Sequence, residues 1–199
     1  FVVHRYGMIY AEGTAPIPSF FTSVLDDLDD PEDLDYTDRG LWGGVVLLGQ
    51  AVTNNAEQQS IEGVNEIDPV RSLYGGDNDE HSSGVFRYVS IRHTGINIGS
   101  TTGNEIQGLT VGGVGSGTVI EYVESYSSDD DGFEFFGGSV NTRYLVSAFN
   151  SDDSFDWDSG FPWQTPILVR HSGYRRSRSV AEMDGATGTE QGTPMPNQS

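Results

Sequence analysis

The chain has 199 residues, 30 of them acidic and 10 basic, for a formal charge of −20 at neutral pH. Every strong base is arginine, and lysine and cysteine are both absent. Such a polyanion is repelled by nucleic acid and by anionic membrane, and it has no Schiff-base or P-loop lysine, no disulfide and no thiolate metal site.

Hydrophobic residues make up 35% of the chain, enough to build the core of one domain spanning residues 1–199. Short β-branched and aromatic runs, separated by Gly, Asn, Asp and Ser, predict strands at Phe1–Val3, Met8–Ala11 and Ser19–Thr22. An acidic insertion follows over residues 26–38, with seven Asp and one Glu, and such a run is expected to be a solvated loop. The longest apolar stretch, Leu41 to Leu48, contains Gly43 and Gly44 and is too short to span a bilayer; its second half predicts a strand at Val45–Leu48. Further strands are expected at Phe86–Ile91, Gly108–Val111, Val119–Val123, Phe133–Phe136, Arg143–Val146, Phe155–Trp157 and Ile167–Arg170. No segment keeps helical periodicity over three turns. The tail over 186–199 reads as a loop or a cut end. Phe1 is not a methionine and no signal-peptide pattern follows it, so the chain is expected to be a processed product or part of a longer protein.

An internal repeat organises these strands. At a shift of 22 residues, Tyr122-Val123 falls on Tyr144-Leu145, Ser125 on Ser147, Asp130-Asp131 on Asp152-Asp153, and Phe133-Glu134-Phe135 on Phe155-Asp156-Trp157. Tyr88-Val89 falls on Thr110-Val111 at the same shift, with a weaker match. A fixed period of this size indicates a solenoid, and a turn of ~22 residues suits a parallel β-helix with about three short strands per coil. Leucine-rich repeats need a Leu and Asn spacing that is absent here, and a β-sandwich does not predict the register. Equivalent residues of successive coils then stack ~4.8 Å apart, with side chains alternating in and out. Phe133 and Phe135 are expected inside on Phe155 and Trp157, and Glu134 outside on Asp156.

Four segments carry a family resemblance: Ala11-Glu12-Gly13-Thr14-Ala15, Arg39 to Gly49, Gly108 to Thr118, and Asp130-Asp131-Gly132-Phe133-Glu134-Phe135-Phe136-Gly137-Gly138. Together they resemble a family of secreted or cell-surface right-handed parallel β-helix proteins common in Bacteroidetes-type bacteria, often lipoproteins or type IX secretion cargo. The resemblance covers nearly the whole chain. It implies an all-β, right-handed parallel β-helix and an extracellular or outer cell-surface location, and it implies no defined activity.

The acidic double rung carries the most chemistry. Asp129, Asp130, Asp131 and Glu134 lie under Asp152, Asp153, Asp156 and Asp158, and stacked carboxylates repel unless they are neutralised. Asp130, Asp131, Glu134, Asp152, Asp153, Asp156 and Asp158 are therefore candidate ligands for Ca²⁺, which takes six to eight oxygens; Asn150 and turn carbonyls offer more. The EF-hand spacing is absent. The plainer reading is a solvated acidic edge with Asp residues forming turns. The same residues support a catalytic reading. Glu134 and Asp156 would approach the ~5 Å spacing of retaining glycosidases. β-Helix polysaccharide lyases resemble this layout in using calcium and a basic residue, for which Arg143 and Arg170 are the candidates. Arg143 also falls on Glu121, which predicts a cross-rung ion pair.

His4, His81, His93 and His171 have no metal-ligand spacing and read as packed or hydrogen-bonded residues. Trp163, in Phe161-Pro162-Trp163, is the candidate sugar-stacking residue. Arg175, Arg176 and Arg178 form a basic cluster suited to an acidic surface. A dense carboxylate surface with only arginine as strong base fits a saline habitat, or an ordinary acidic secreted protein. The expectation is an extracellular structural or adhesive module, stabilised by calcium and able to stack end to end into homo-oligomers or filaments. The alternatives are a polysaccharide lyase or glycoside hydrolase, or a carbohydrate-binding protein without catalysis.

Overall fold

The computed structural model describes residues 1–55, 57–98, 106–162, 168–171 and 180–183. Its strands are β1 (Val2–Val3), β2 (Ile9–Glu12), β3 (Ser19–Phe21), β4 (Val45–Leu48), β5 (Gln59–Ser60), β6 (Leu73–Tyr74), β7 (Gly84–Arg92), β8 (Leu109–Gly112), β9 (Val119–Tyr126), β10 (Phe133–Phe136), β11 (Thr142–Ala148), β12 (Phe155–Asp158), β13 (Leu168–His171) and β14 (Glu182–Met183). The described residues contain no helix. One parallel sheet has the order β1-β4-β8-β10-β12-β14, and a second has the order β13-β11-β9-β7-β2, with β3 also on β7. The chain alternates between the two sheets coil after coil. This is a parallel β-helix, as the repeat predicts.

The register explains the repeat. Phe133 pairs with Phe155, Glu134 with Asp156 and Phe135 with Trp157. On the other sheet Arg143 pairs with Glu121, Leu145 with Val123 and Ser147 with Ser125. All of these lie 22 residues apart. Upstream the period changes, which corrects one expectation: Val89 pairs with Val123, 34 residues on, and Thr110 with Glu134, so Tyr88-Val89 does not stack on Thr110-Val111. Strand pairing fixes the register, while the connections between strands vary in length.

Each coil has three faces because the second sheet bends midway. Tyr88, Tyr122 and Tyr144 have φ of 49°, 54° and 58° in the middle of β7, β9 and β11. In the first coil β2 pairs with the first half of β7 and β3 with the second half. Two further corners also turn on left-handed residues in columns: His93, Ser127 and Phe149, then Gly113, Gly137 and Ser159. A left-handed conformation costs a side-chain-bearing residue roughly 1–2 kcal/mol. At the tyrosine corner, ring stacking offsets part of this. Tyr88 and Tyr122 lie 4.5 Å apart, and Tyr122 and Tyr144 4.4 Å apart, with nearly parallel rings.

Inside, the columns Val45–Leu109–Phe133–Phe155 and Leu47–Val111–Phe135–Trp157 line the first sheet, and all eight residues are buried. Phe86, Ile120, Val89, Val123 and Leu145 face them from the second sheet and belong to the same core. One interior corner is polar: Asn150 accepts from Ser128 N–H at 2.7 Å and donates to Ser147 at 2.8 Å.

Two segments run along corners, across the coils. The acidic loop follows the second corner. The His93 ring Nδ1 donates to the Asp38 carbonyl at 2.6 Å, Ser127 Oγ donates to the Tyr36 carbonyl at 3.0 Å, and Tyr36 packs on Phe149. Residues 49–55 follow the third corner, with Ala51 N–H to Gly113 O, Gly138 N–H to Val52 O and Asn54 N–H to Ser159 O. They open a cover layer over residues 49–83 that carries the antiparallel pair β5–β6, and the strand forecast did not include that pair. Ile61, Val64 and Tyr74 of this layer pack with Ile106 against the outward side chains of Val46 and Leu48. The first sheet is thus buried on both faces over β4, where all four residues are buried.

Candidate functional site

On the outer face of the first sheet, one column of backbone positions runs Val46, Thr110, Glu134, Asp156, Glu182. It begins with apolar Val46 and polar Thr110 and becomes acidic from Glu134 towards β14. Asp131, Glu134 and Asp156 bring carboxylate oxygens within 4.8 Å of one another, and Asp131, Asp152 and Asp153 do the same beside them. The turn before β10 supplies Asp131, and alternation along β10 and β12 aims Glu134 and Asp156 away from the core.

Glu134 is only 5% exposed. This corrects the expectation of a solvated outer rung, because the cover layer closes over it. Its Oε2 is buried without a hydrogen-bond partner, as is Asp156 Oδ1. Burial pushes the Glu134 carboxyl well above its ordinary range, and the charges of Glu62 and then Asp131 push it further. Burial, then the charge of Asp130, raises Asp131 to about 9, although the Asp153 N–H donates to its Oδ1 at 2.7 Å. Asp156 is half-buried and raised to about 7 by burial and then by Asp158. Burial pushes Tyr74 up to about 12, against a hydrogen bond with Ser159 and with Glu134, Asp158 and Glu62 nearby.

Gln107 joins the cluster to the cover layer. It accepts from Thr110 Oγ1 at 2.7 Å and donates to Glu62 at 3.4 Å and to Asp130 at 3.3 Å. Glu62, Gln107, Thr110 and Tyr74 were not among the sequence candidates. Glu62 and Tyr74 lie in the cover layer, outside the repeat, so no register pointed to them.

The oxygen-only donor set fits a hard divalent cation. A buried carboxylate oxygen with no donor facing it needs a proton or a metal ion. Of the predicted ligands, Asp131, Glu134, Asp152, Asp153 and Asp156 lie in the two groups; Asp158 and Asp130 lie alongside and act on their charges. Asp129 is exposed and accepts from Ser151 Oγ at 3.0 Å.

Arg143 is not at this site. It lies on β11 in the second sheet and pairs with Glu121, to which Arg87 also turns. Arg170 is on β13, also in the second sheet. Trp163, Arg175, Arg176 and Arg178 lie outside the described residues. His93 is a packed, hydrogen-bonded residue, with Nε2 3.9 Å from Asp26.

Stacked parallel coils with an acidic cluster on one outer face define a parallel β-helix protein. The chain belongs to the pectate-lyase-like β-helix domain family, whose model matches residues 1–198. No curated protein and no solved structure matches the chain. Family membership fits an extracellular carbohydrate-related module or enzyme. No helix among the described residues is long and apolar enough to cross a membrane.

Proposed function

We propose that this chain is a non-catalytic, extracellular β-helix module of a secreted or cell-surface protein, with adjacent coils pinned together by calcium at Asp131, Glu134 and Asp156. The observation that carries this reading is the orphaned, buried Oε2 of Glu134 at the point where three carboxylates converge. Calcium accepts carboxylates of irregular geometry, whereas magnesium requires a near-ideal octahedron. Asp131 precedes β10, Glu134 lies on it and Asp156 lies on β12, so one ion ties two coils. The cover over Glu134 supports a structural role over a catalytic one, since a polysaccharide cannot reach a carboxylate that is 5% exposed. The position of Arg143 on the other sheet removes it as a base for this site.

Thermal unfolding with calcium and then with excess EDTA tests the proposal. At a hundredfold excess over Kd, calcium should add about 2.7 kcal/mol of stability. The gain should vanish in Glu134→Gln, which keeps the shape and removes the charge. An unchanged midpoint in the wild-type chain would overturn the reading.

A catalytic alternative draws on Asp156, which is half-buried and raised towards neutrality, as a general acid–base group would be. New reducing ends or unsaturated products from a panel of uronate-rich and neutral polysaccharides, lost in Asp156→Asn, would favour it.

A further inference from the structure

The tyrosine corner holds three rings in a column on the outside of the coils. Tyr88, Tyr122 and Tyr144 sit on successive strands of the second sheet, each with a left-handed backbone. The ring centroids of Tyr122 and Tyr144 lie 4.4 Å apart with 15° between the planes, and those of Tyr88 and Tyr122 lie 4.5 Å apart with 6°. Strand pairing on both sides of the corner, Arg143 with Glu121 and Leu145 with Val123, keeps Tyr122 and Tyr144 from sliding apart. Neighbouring rings take both faces of Tyr122, so it offers no open face on which a sugar ring could stack. It is nevertheless 38% exposed, which leaves its edge to solvent. The chain has no cysteine, so no disulfide can tie one coil to the next.

We infer that Tyr122 and Tyr144 form an oxidative coupling site, where a haem peroxidase with hydrogen peroxide joins the two rings as a dityrosine and staples adjacent coils. Each phenol gives up one electron and its hydroxyl proton. The two radicals form one carbon–carbon bond between positions ortho to the oxygens. The hydrogens on those two carbons then move to the oxygens and restore both phenols. One hydrogen peroxide takes up the two electrons and two protons and leaves as two waters. The stacked rings must turn towards an edge-to-edge arrangement, and the exposed edge of Tyr122 leaves room for that turn. Holding the partners side by side makes the coupling intramolecular and favours it over encounters between chains, which a charge of −20 also opposes. Tyr6 and Tyr10 are more exposed, but their ring and hydroxyl contacts are with His4, Arg5 and Met8 and not with another tyrosine. The new bond closes a loop in the unfolded chain, as a disulfide does. It needs no cation and is independent of the calcium reading.

The experiment treats dilute wild type, Tyr122→Phe and Tyr144→Phe with a haem peroxidase and hydrogen peroxide. Dityrosine fluorescence, a denaturing gel, peptide mapping and thermal unfolding follow the products. Phenylalanine keeps the stacked ring and removes the hydroxyl that yields the radical. Wild type should give a fluorescent monomer whose peptide map joins Tyr122 to Tyr144, lighter by two hydrogens than the separate peptides. Its unfolding midpoint should lie above that of the untreated chain. Both variants should lose this product and the shift in midpoint. Dityrosine found only in covalent dimers, a monomeric product that persists in Tyr122→Phe, or a cross-linked monomer with an unchanged midpoint would overturn the staple.

Discussion

At the residue scale, the raised carboxyls make stability depend on protons, and under the proposed calcium site on cations in opposition. Carboxyls raised in the folded state hold protons that the unfolded chain releases, so their contribution is complete below the ordinary carboxylate range. It is lost as pH rises through about 7 for Asp156 and about 9 for Asp131. Without divalent cations the unfolding midpoint should therefore fall steadily from about pH 5 to about pH 9. In saturating calcium the decline should flatten, because the ion replaces the protons. Scanning calorimetry across that interval in EDTA and in calcium checks both halves; a midpoint in EDTA that rises towards pH 9 would contradict the assignment.

At the element scale, short strands stand in register because each corner repeats one backbone conformation. Gly137 shows how tightly a corner meets the cover. Its φ is +59°, and a Cβ there would lie 2.8 Å from Thr53 Cβ. Gly137→Ala should cost about 1–3 kcal/mol, by left-handed strain and by displacing the segment that leads into the cover. Phe135→Ala removes a fully buried ring stacked 4.7 Å from Phe161 and should cost about 3–5 kcal/mol. Chemical denaturation of the two variants separates these effects. Phe135→Ala should destabilise the whole solenoid, and Gly137→Ala should also speed exchange in residues 49–55. A neutral Gly137→Ala would mean that the corner tolerates a side chain as readily as its neighbour Ser159.

At the scale of the molecule, the chain carries a charge of −20, and the ion pairs among the described residues are few. Arg87 and Arg143 share Glu121, Arg92 lies beside Glu124, and Arg71 pairs with Asp68. Self-repulsion among the remaining carboxylates weakens the compact state and is screened by salt. Raising sodium chloride from about 0.1 M to about 1 M, which shortens the screening length from about 10 Å to about 3 Å, should raise the midpoint even without calcium. A midpoint lowered by salt would show that attractive pairs outweigh the repulsion. The family model matches residues 1–198.

The sequence alone determined the coil. Phe133, Glu134 and Phe135 recur as Phe155, Asp156 and Trp157 because residues that stack on one another meet the same environment, and that constraint is written at a fixed spacing. It gave the inward aromatics, the Glu134–Asp156 pair and the Arg143–Glu121 contact. It missed the upstream register, because connections of unequal length move Val89 onto Val123 without changing the strand that pairs. Tertiary structure alone decided the environment of Glu134. Alternation places its side chain outside the helix, and outside usually means water. Here a non-repeating layer folds back over that face and brings Tyr74 and Glu62 to it. Burial of an outward carboxylate is a property of two distant segments meeting, so no local pattern in either one encodes it.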